Sequence, residues 1–294
     1  MPFAALVMVL VAAVLHAGWN IAAKKAGGDR HFVMIGALLI VVVWGPVGLW
    51  VGHDVVPHWG ALEWTFIVAS GLTHLVYFNV LLKGYRVSDL TVVYPVARGT
   101  GPLISSVASV ILLGETLGWH GVLGVLGVCG GVFLVAGGPA LWRAAHEPER
   151  RGRVRAGLVW GAATGVLIAG YTVLDGYAVK RLALSPILID WFGNLTRLPF
   201  MLPATLRRRH EFGDAWRRLW KLALVMAVVS PLAYVLVLYA ARIAPLSHVA
   251  PAREVSMLFA ALVGGRMLGE GDRGLRAWGA ALMAGGVVLL AWGG

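Results

Sequence analysis

The chain has 294 residues, 59% of them hydrophobic and 13% charged, with a formal net charge of +11 and a mean hydropathy of +0.79. That balance excludes an ordinary water-facing globular domain, and the single cysteine, Cys129, excludes an intramolecular disulfide and a cysteine-cluster metal site. The basic residues stand in short groups between apolar runs, so they read as topology signals and not as a nucleic-acid surface.

A membrane span needs about 20 mostly apolar residues to cross ~30 Å of hydrocarbon. In chain order this rule predicts helices over 3–24, 32–52, 60–82, 89–112 and 119–138, then over 156–179, 185–206, 219–241, 246–267 and 275–292. Met1 to Ala23 has no basic leading segment and runs on into further apolar stretches, so it reads as a retained first span and not as a cleaved signal. The longest connection, RAAHEPERRGRVRA from Arg143 to Ala156, is highly charged and divides the chain into 1–138, a cytoplasmic linker over 139–155, and 156–294.

The second half repeats the first. At an offset of 155, Arg98 falls on Arg253, the LGE ending at Glu115 on the LGE ending at Glu270, and GGVFLVAG from Gly130 on GGVVLLAW from Gly285. At an offset of 152, AGW from Ala17 meets AGY from Ala169. With five spans per half, the halves must enter the bilayer from opposite sides, giving inverted repeats. Lys and Arg crowd the connections after the first, third, fifth, seventh and ninth spans, whereas the alternate connections hold only Lys180, Arg181 and Arg242. By the positive-inside rule both termini are expected outside and the linker in the cytoplasm.

Five-plus-five spans, with a small-residue-rich fourth span ending in LLGETL and its counterpart in MLGEGD, each followed by a glycine-rich helix, resemble the drug/metabolite transporter superfamily, in particular its EamA branch. The resemblance covers nearly the whole chain. It implies a permease or exporter of amino acids or other small metabolites in a bacterial-type inner membrane. GHDVVPHWGALE between spans two and three departs from the pattern, because many relatives carry basic residues there. Within LGE, Gly114 and Gly269 read as helix stops. Glu115 and Glu270 read as edge or helix-start charges with no part in transport.

Helical spacing sorts the intramembrane polar residues into faces. His16, Trp19 and Asn20 share one on span one; Ser70, His74, Tyr77 and Phe78 share one on span three. Thr91, Tyr94, Arg98 and Ser105 line span four, and Trp160, Thr164, Tyr171 and Asp175 line span six. A single polar residue in a span is as readily interhelical glue, and a Trp or Tyr an interfacial anchor. Arg98 lies about 12 Å along its helix from Leu90, too deep to snorkel comfortably. Three readings are open for it: pairing with Asp175 or Asp190, meeting a substrate carboxylate in a wet cavity, or each at a different stage. Arg253 is expected to pair locally with acidic groups, and Arg197 to belong to a structural stripe with Asp190 and Asn194.

Pro95, Gly99, Gly101 and Pro102 are expected to interrupt span four, and Pro251 span nine; Gly99, Gly101, Pro102 and Pro251 are therefore the candidate gating residues. His16, His74 or Asp175 could couple transport to protons, and the alternative is a facilitator. The motifs of membrane enzymes, HExxH among them, are missing, so no catalytic residue, metal or cofactor is expected. The expectation is an all-α, ten-span, monomeric exporter or facilitator of small metabolites. Its favoured substrates are hydrophobic or aromatic amino acids, held by His16, Trp19, Asn20, His74, Tyr77, Tyr94, Arg98, Tyr171 and Asp175.

Overall fold

The computed structural model describes residues 1–26, 29, 31–136, 150–259 and 273–292. Its helices are α1 (Phe3–Lys25), α2 (Phe32–Gly52), α3 (Ala61–Val87), α4 (Leu90–Leu113), α5 (Trp119–Val135), α6 (Arg151–Lys180), α7 (Pro186–Leu206), α8 (Arg209–Ile243), α9 (Leu246–Ala252) and α10 (Arg273–Trp292). No strand occurs among the described residues. Helices α1, α2, α3, α4, α6, α8 and α10 are long and apolar enough to cross a membrane by themselves. Helix α7 has the length but carries Asp190 and Arg197, α5 is shorter at 17 residues, and α9 passes into a tight 3-10 turn, Arg253–Val255.

Local chemistry sets the ends. Helix α4 stops at Gly114, whose φ of 70° is a left-handed conformation that glycine adopts without steric cost. Helix α7 starts after Ser185 with Pro186 in its first turn, where the missing N–H costs nothing. Three helices run past the expected spans: α3 to Val87, α6 from Arg151 and α8 from Arg209. Apolar length marks the part of a helix that lies in hydrocarbon, and a charged helix continues beyond it into water.

The two halves are inverted mates. Helix α1 packs on α8 as α6 packs on α3, and α2 packs on α8 as α7 packs on α3. Each of three mate pairs runs antiparallel. Gly124 and Gly131 of α5 lie against Gly286 and Gly279 of α10, Gly48 and Gly52 of α2 against Trp191 and Leu188 of α7. In the third pair, Ser106 of α4 donates to the Ser247 carbonyl of α9 at 2.9 Å while Arg98 reaches Glu254 beyond. Mates that cross in opposite directions define a twofold axis in the membrane plane.

Small residues let the backbones close. Gly157, Gly161 and Gly165 of α6 form a stripe against α4, where a Cβ on Gly161 would stand 3.0 Å from the Val93 carbonyl oxygen. In lipid, where apolar contact alone drives no helix association, such close packing supplies the attraction. Large apolar side chains such as Trp50 and Ile111 point outward to the lipid. Met1 lies 2.8 Å from the Ala291 carbonyl, and Arg153 pairs with Asp89 at the opposite ends of the helices. Met1 and Ala291 therefore share one face, and α6 enters from the other.

Candidate functional site

Two groups of polar side chains meet where the halves join. The first is centred on Arg98, in the middle of α4. Its Nε lies 3.2 Å from Glu254 Oε2 and its Nη1 3.5 Å from Oε1. Its Nη2 lies 3.3 Å from His16 Nε2 on α1. One turn before it, the Tyr94 ring sits 5.7 Å from the guanidinium. His16 and Trp19 stand three residues apart on α1, so they share a face: Trp19 Nε1–H donates to His16 Nδ1 at 3.2 Å, with the rings edge-on. Arg253 Nε reaches Glu254 Oε1 at 3.5 Å. Glu254 is fully buried, and a buried carboxylate without a cation would cost several kcal/mol, on the order of 3–5. Two arginines, one from each half, meet that requirement.

The second group is aromatic and acidic. His74 of α3 stacks on Tyr171 of α6 at 3.9 Å between centroids, and Tyr77 approaches the same ring edge-on at 5.6 Å. Tyr234 of α8 lies edge-on to His74 at 5.6 Å, and its hydroxyl donates to Asp175 Oδ2. His74 Nδ1 lies 3.0 Å from the Ser70 carbonyl, an acceptor, so that nitrogen carries the proton. Asp175 is buried, with the Ser70 side chain and the Tyr234 hydroxyl beside it. The guanidinium of Arg253, 5.9 Å from the Tyr171 ring, joins the two groups. Nearby, Arg197 donates to Asn194 Oδ1, and Asn194 to Asp190 Oδ2, forming the polar stripe expected of α7.

Of the residues singled out in the sequence, His16, Trp19, Tyr94 and Arg98 fall in the first group and His74, Tyr77, Tyr171 and Asp175 in the second. Asn20 is half-buried beside Trp19 and enters neither through a described hydrogen bond. Of the pairings open for Arg98, the structure shows Glu254, and neither Asp175 nor Asp190. Glu254 and Tyr234 were not among the expected site residues. The signal for Glu254 is an acidic residue directly after the arginine that mates with Arg98; an isolated tyrosine in a span carries none.

The expected interruption of span four does not occur. Helix α4 runs unbroken through Pro95 and Pro102. Gly101 is a contact point, packed on Ile168 of α6, and Gly99 faces the Cys129 carbonyl. At Pro251 the expectation holds, since α9 gives way to the 3-10 turn one residue later.

Glu115 also has a place that the sequence does not reveal. Its carboxylate accepts the N–H groups of Leu246 and Ser247 at 2.7 and 2.8 Å and pairs with Lys180 at 2.8 Å. It thus caps α9 of the other half, not the helix that follows it. Burial pushes Glu115 up, but Lys180 and the two backbone donors outweigh it and hold the carboxyl below its ordinary range. Glu270 and Gly269 lie outside the described residues. Two clefts, of about 420 and 350 Å³, open on this face, one beside Lys180 and Arg242, the other beside His58 and Trp59. Neither is lined by the expected substrate residues. Among the described residues no group of His, Cys, Asp or Glu could hold a metal ion.

Among curated proteins none matches this chain in sequence. One solved crystal structure, 17% identical, resembles it with a TM-score of 0.70 over 98% of this chain and 96% of its own, a likeness of fold alone. The sequence pattern of the EamA-like transporter family matches residues 3–137 and matches again over 155–292. With both halves matched and packed as inverted mates, the chain belongs to the EamA-like transporter family and is a multi-pass membrane transporter of small molecules.

Proposed function

We propose that the protein exports, or lets down their gradient, hydrophobic and aromatic amino acids across a bacterial-type inner membrane. The supporting observation is the arrangement where the halves join: a cationic group around Arg98 and a buried carboxyl, Asp175, on either side of stacked aromatic rings. A zwitterion with an apolar side chain matches each part. Its carboxylate meets the guanidinium, its ammonium the acid, and its side chain the rings of Tyr77, Tyr94 and Tyr171. Trp19, Asn20 and His16 complete the wall from α1.

Transport proceeds by alternating access, the halves 1–138 and 156–294 rocking about the shared site. The broken helix at Pro251 and the segment Gly99–Gly101–Pro102 are the places where they yield. The termini face outward and the linker the cytoplasm, as the basic residues require. A second reading is proton-coupled antiport, favoured by Asp175, an acid buried within a span.

Uptake of a panel of amino acids into proteoliposomes, with and without a pH gradient, tests both. Accumulation of phenylalanine, tryptophan or leucine supports the first reading, and strict dependence on the gradient selects the second. Transport of none of these, with transport of other metabolites, removes the substrate assignment.

A further inference from the structure

We propose that Arg98 and Arg253, one from each half, form with His16 a seat for a single monocarboxylate, and that Glu254 competes with it for both guanidiniums. This rests on reading the junction of the halves as the substrate site. It adds a ligand class, a second anchor and an internal competitor.

Three observations converge. The first is charge: two guanidiniums share one carboxylate, and neither makes an ion pair with Asp175 among the described residues. The second is donors. Each guanidinium carries five N–H groups, yet Glu254 meets them only at 3.2–3.5 Å, longer than the about 2.7–2.9 Å of a strong charge-assisted bond. Arg253 Nη2 is buried with no hydrogen-bond partner among the described residues.

The third is a conflict at His16. Its Nδ1 faces the Trp19 N–H at 3.2 Å and its Nε2 faces Arg98 Nη2 at 3.3 Å, so both ring nitrogens look at donors. A neutral imidazole offers one acceptor and an imidazolium none. One of the two contacts therefore sets N–H against N–H.

An acceptor-only monoanion answers all three. One carboxylate oxygen between Arg98 Nη2 and His16 Nε2 accepts a hydrogen bond from each, the other accepts one from Arg253 Nη2, and each of these donors is met. A carboxamide brings further N–H groups into a place short of acceptors. Glu254 is the same functional group as the ligand, tethered, and its loose geometry makes it displaceable.

The test is calorimetric titration of the purified full-length protein in detergent with 3-phenylpropionate and with 3-phenylpropionamide, which share shape and lack an ammonium group. The acid is expected to bind at least tenfold more tightly than the amide. Arg253→Gln should weaken acid binding at least tenfold and leave the amide unchanged, while Glu254→Gln, removing the competitor, should tighten it. Equal binding of acid and amide overturns the proposal, as does weakening of the acid by Glu254→Gln. Should Glu254→Gln not fold, Arg253→Lys decides in its place: it keeps the charge and loses the fork, and unchanged affinity for the acid overturns the second anchor. Acid-selective binding that depends on Arg253, without transport of aromatic amino acids, supports this seat and removes only the substrate reading. Transport of phenylalanine with no preference for acid over amide does the reverse.

Discussion

Arg98 and Glu254 stand 156 residues apart in sequence and 3.2 Å apart in space, joining α4 to the turn that ends its own inverted mate. The pair ties the two halves at the depth where the proposed substrate passes.

Replacing Arg98 with alanine leaves buried Glu254 only Arg253 as a cation. Breaking one side of a buried pair costs about 3–5 kcal/mol, so Arg98→Ala should unfold at a markedly lower temperature. Adding Glu254→Gln should recover most of the loss. In the double variant, phenylalanine transport should fall at least tenfold while that of phenylalaninamide is unchanged. Equal loss for both substrates would assign Arg98 to helix clamping alone.

Tyr171 carries the stack with His74 and the edge contact with Tyr77. Tyr171→Phe keeps the ring and should transport tryptophan at close to the wild-type rate. Tyr171→Leu loses stacking worth about 0.5–1.5 kcal/mol, an expected fall of roughly two- to tenfold in apparent affinity for tryptophan and much less for leucine. A uniform change for both amino acids would count against an aromatic wall.

Glu115 fastens the start of α9 to Lys180. Glu115→Gln keeps an acceptor oxygen but loses the charge, and about 1–3 kcal/mol of stability should go with it. Because the folded carboxyl is held below its ordinary range, its stabilisation is present above the unfolded value, about 4.3, and is lost as pH falls through the folded one. Thermal unfolding of wild type and variant should therefore differ by a constant amount from neutral to about pH 5 and converge in stronger acid. A gap that closed already between pH 7 and pH 6 would contradict the assignment.

Adjacent glycines on α10 provide an internal control for the packing of the mates. A Cβ on Gly286 would stand 2.8 Å from the Gly124 carbonyl oxygen and from Val128 N, backbone atoms that cannot turn aside, whereas a Cβ on Gly285 meets nothing within 4 Å. Gly286→Ala should cost about 1–3 kcal/mol. Gly285→Ala should be neutral or stabilising by up to about 1 kcal/mol, through helix propensity. Similar unfolding temperatures for the two variants would show that this interface is not close-packed.

The sequence alone determines the number of spans, their limits to within a few residues at most ends, the duplication and hence the inversion. Each of these rests on a local or periodic property: apolar length, helical spacing, basic connections, or odd parity of spans. The stripes that place His16 beside Trp19 and Ser70 beside His74 were legible for the same reason, since one turn of helix brings those side chains together whatever surrounds them.

Only the tertiary structure decides which stripe faces which. Helical spacing gives a side chain its direction about its own axis, but not the neighbour that axis meets. Arg98 thus finds Glu254, where Asp175 and Asp190 were the pairings the sequence offered, Tyr234 reaches Asp175 from a span in which no polar stripe was legible, and Glu115 caps α9 across the join between halves. The persistence of α4 through two prolines belongs here too, since α6 packs along it through Gly157, Gly161 and Gly165. Pairing of buried charges is a property of the assembled interior, where the cost of leaving one alone selects the partner from whatever the packing has brought near.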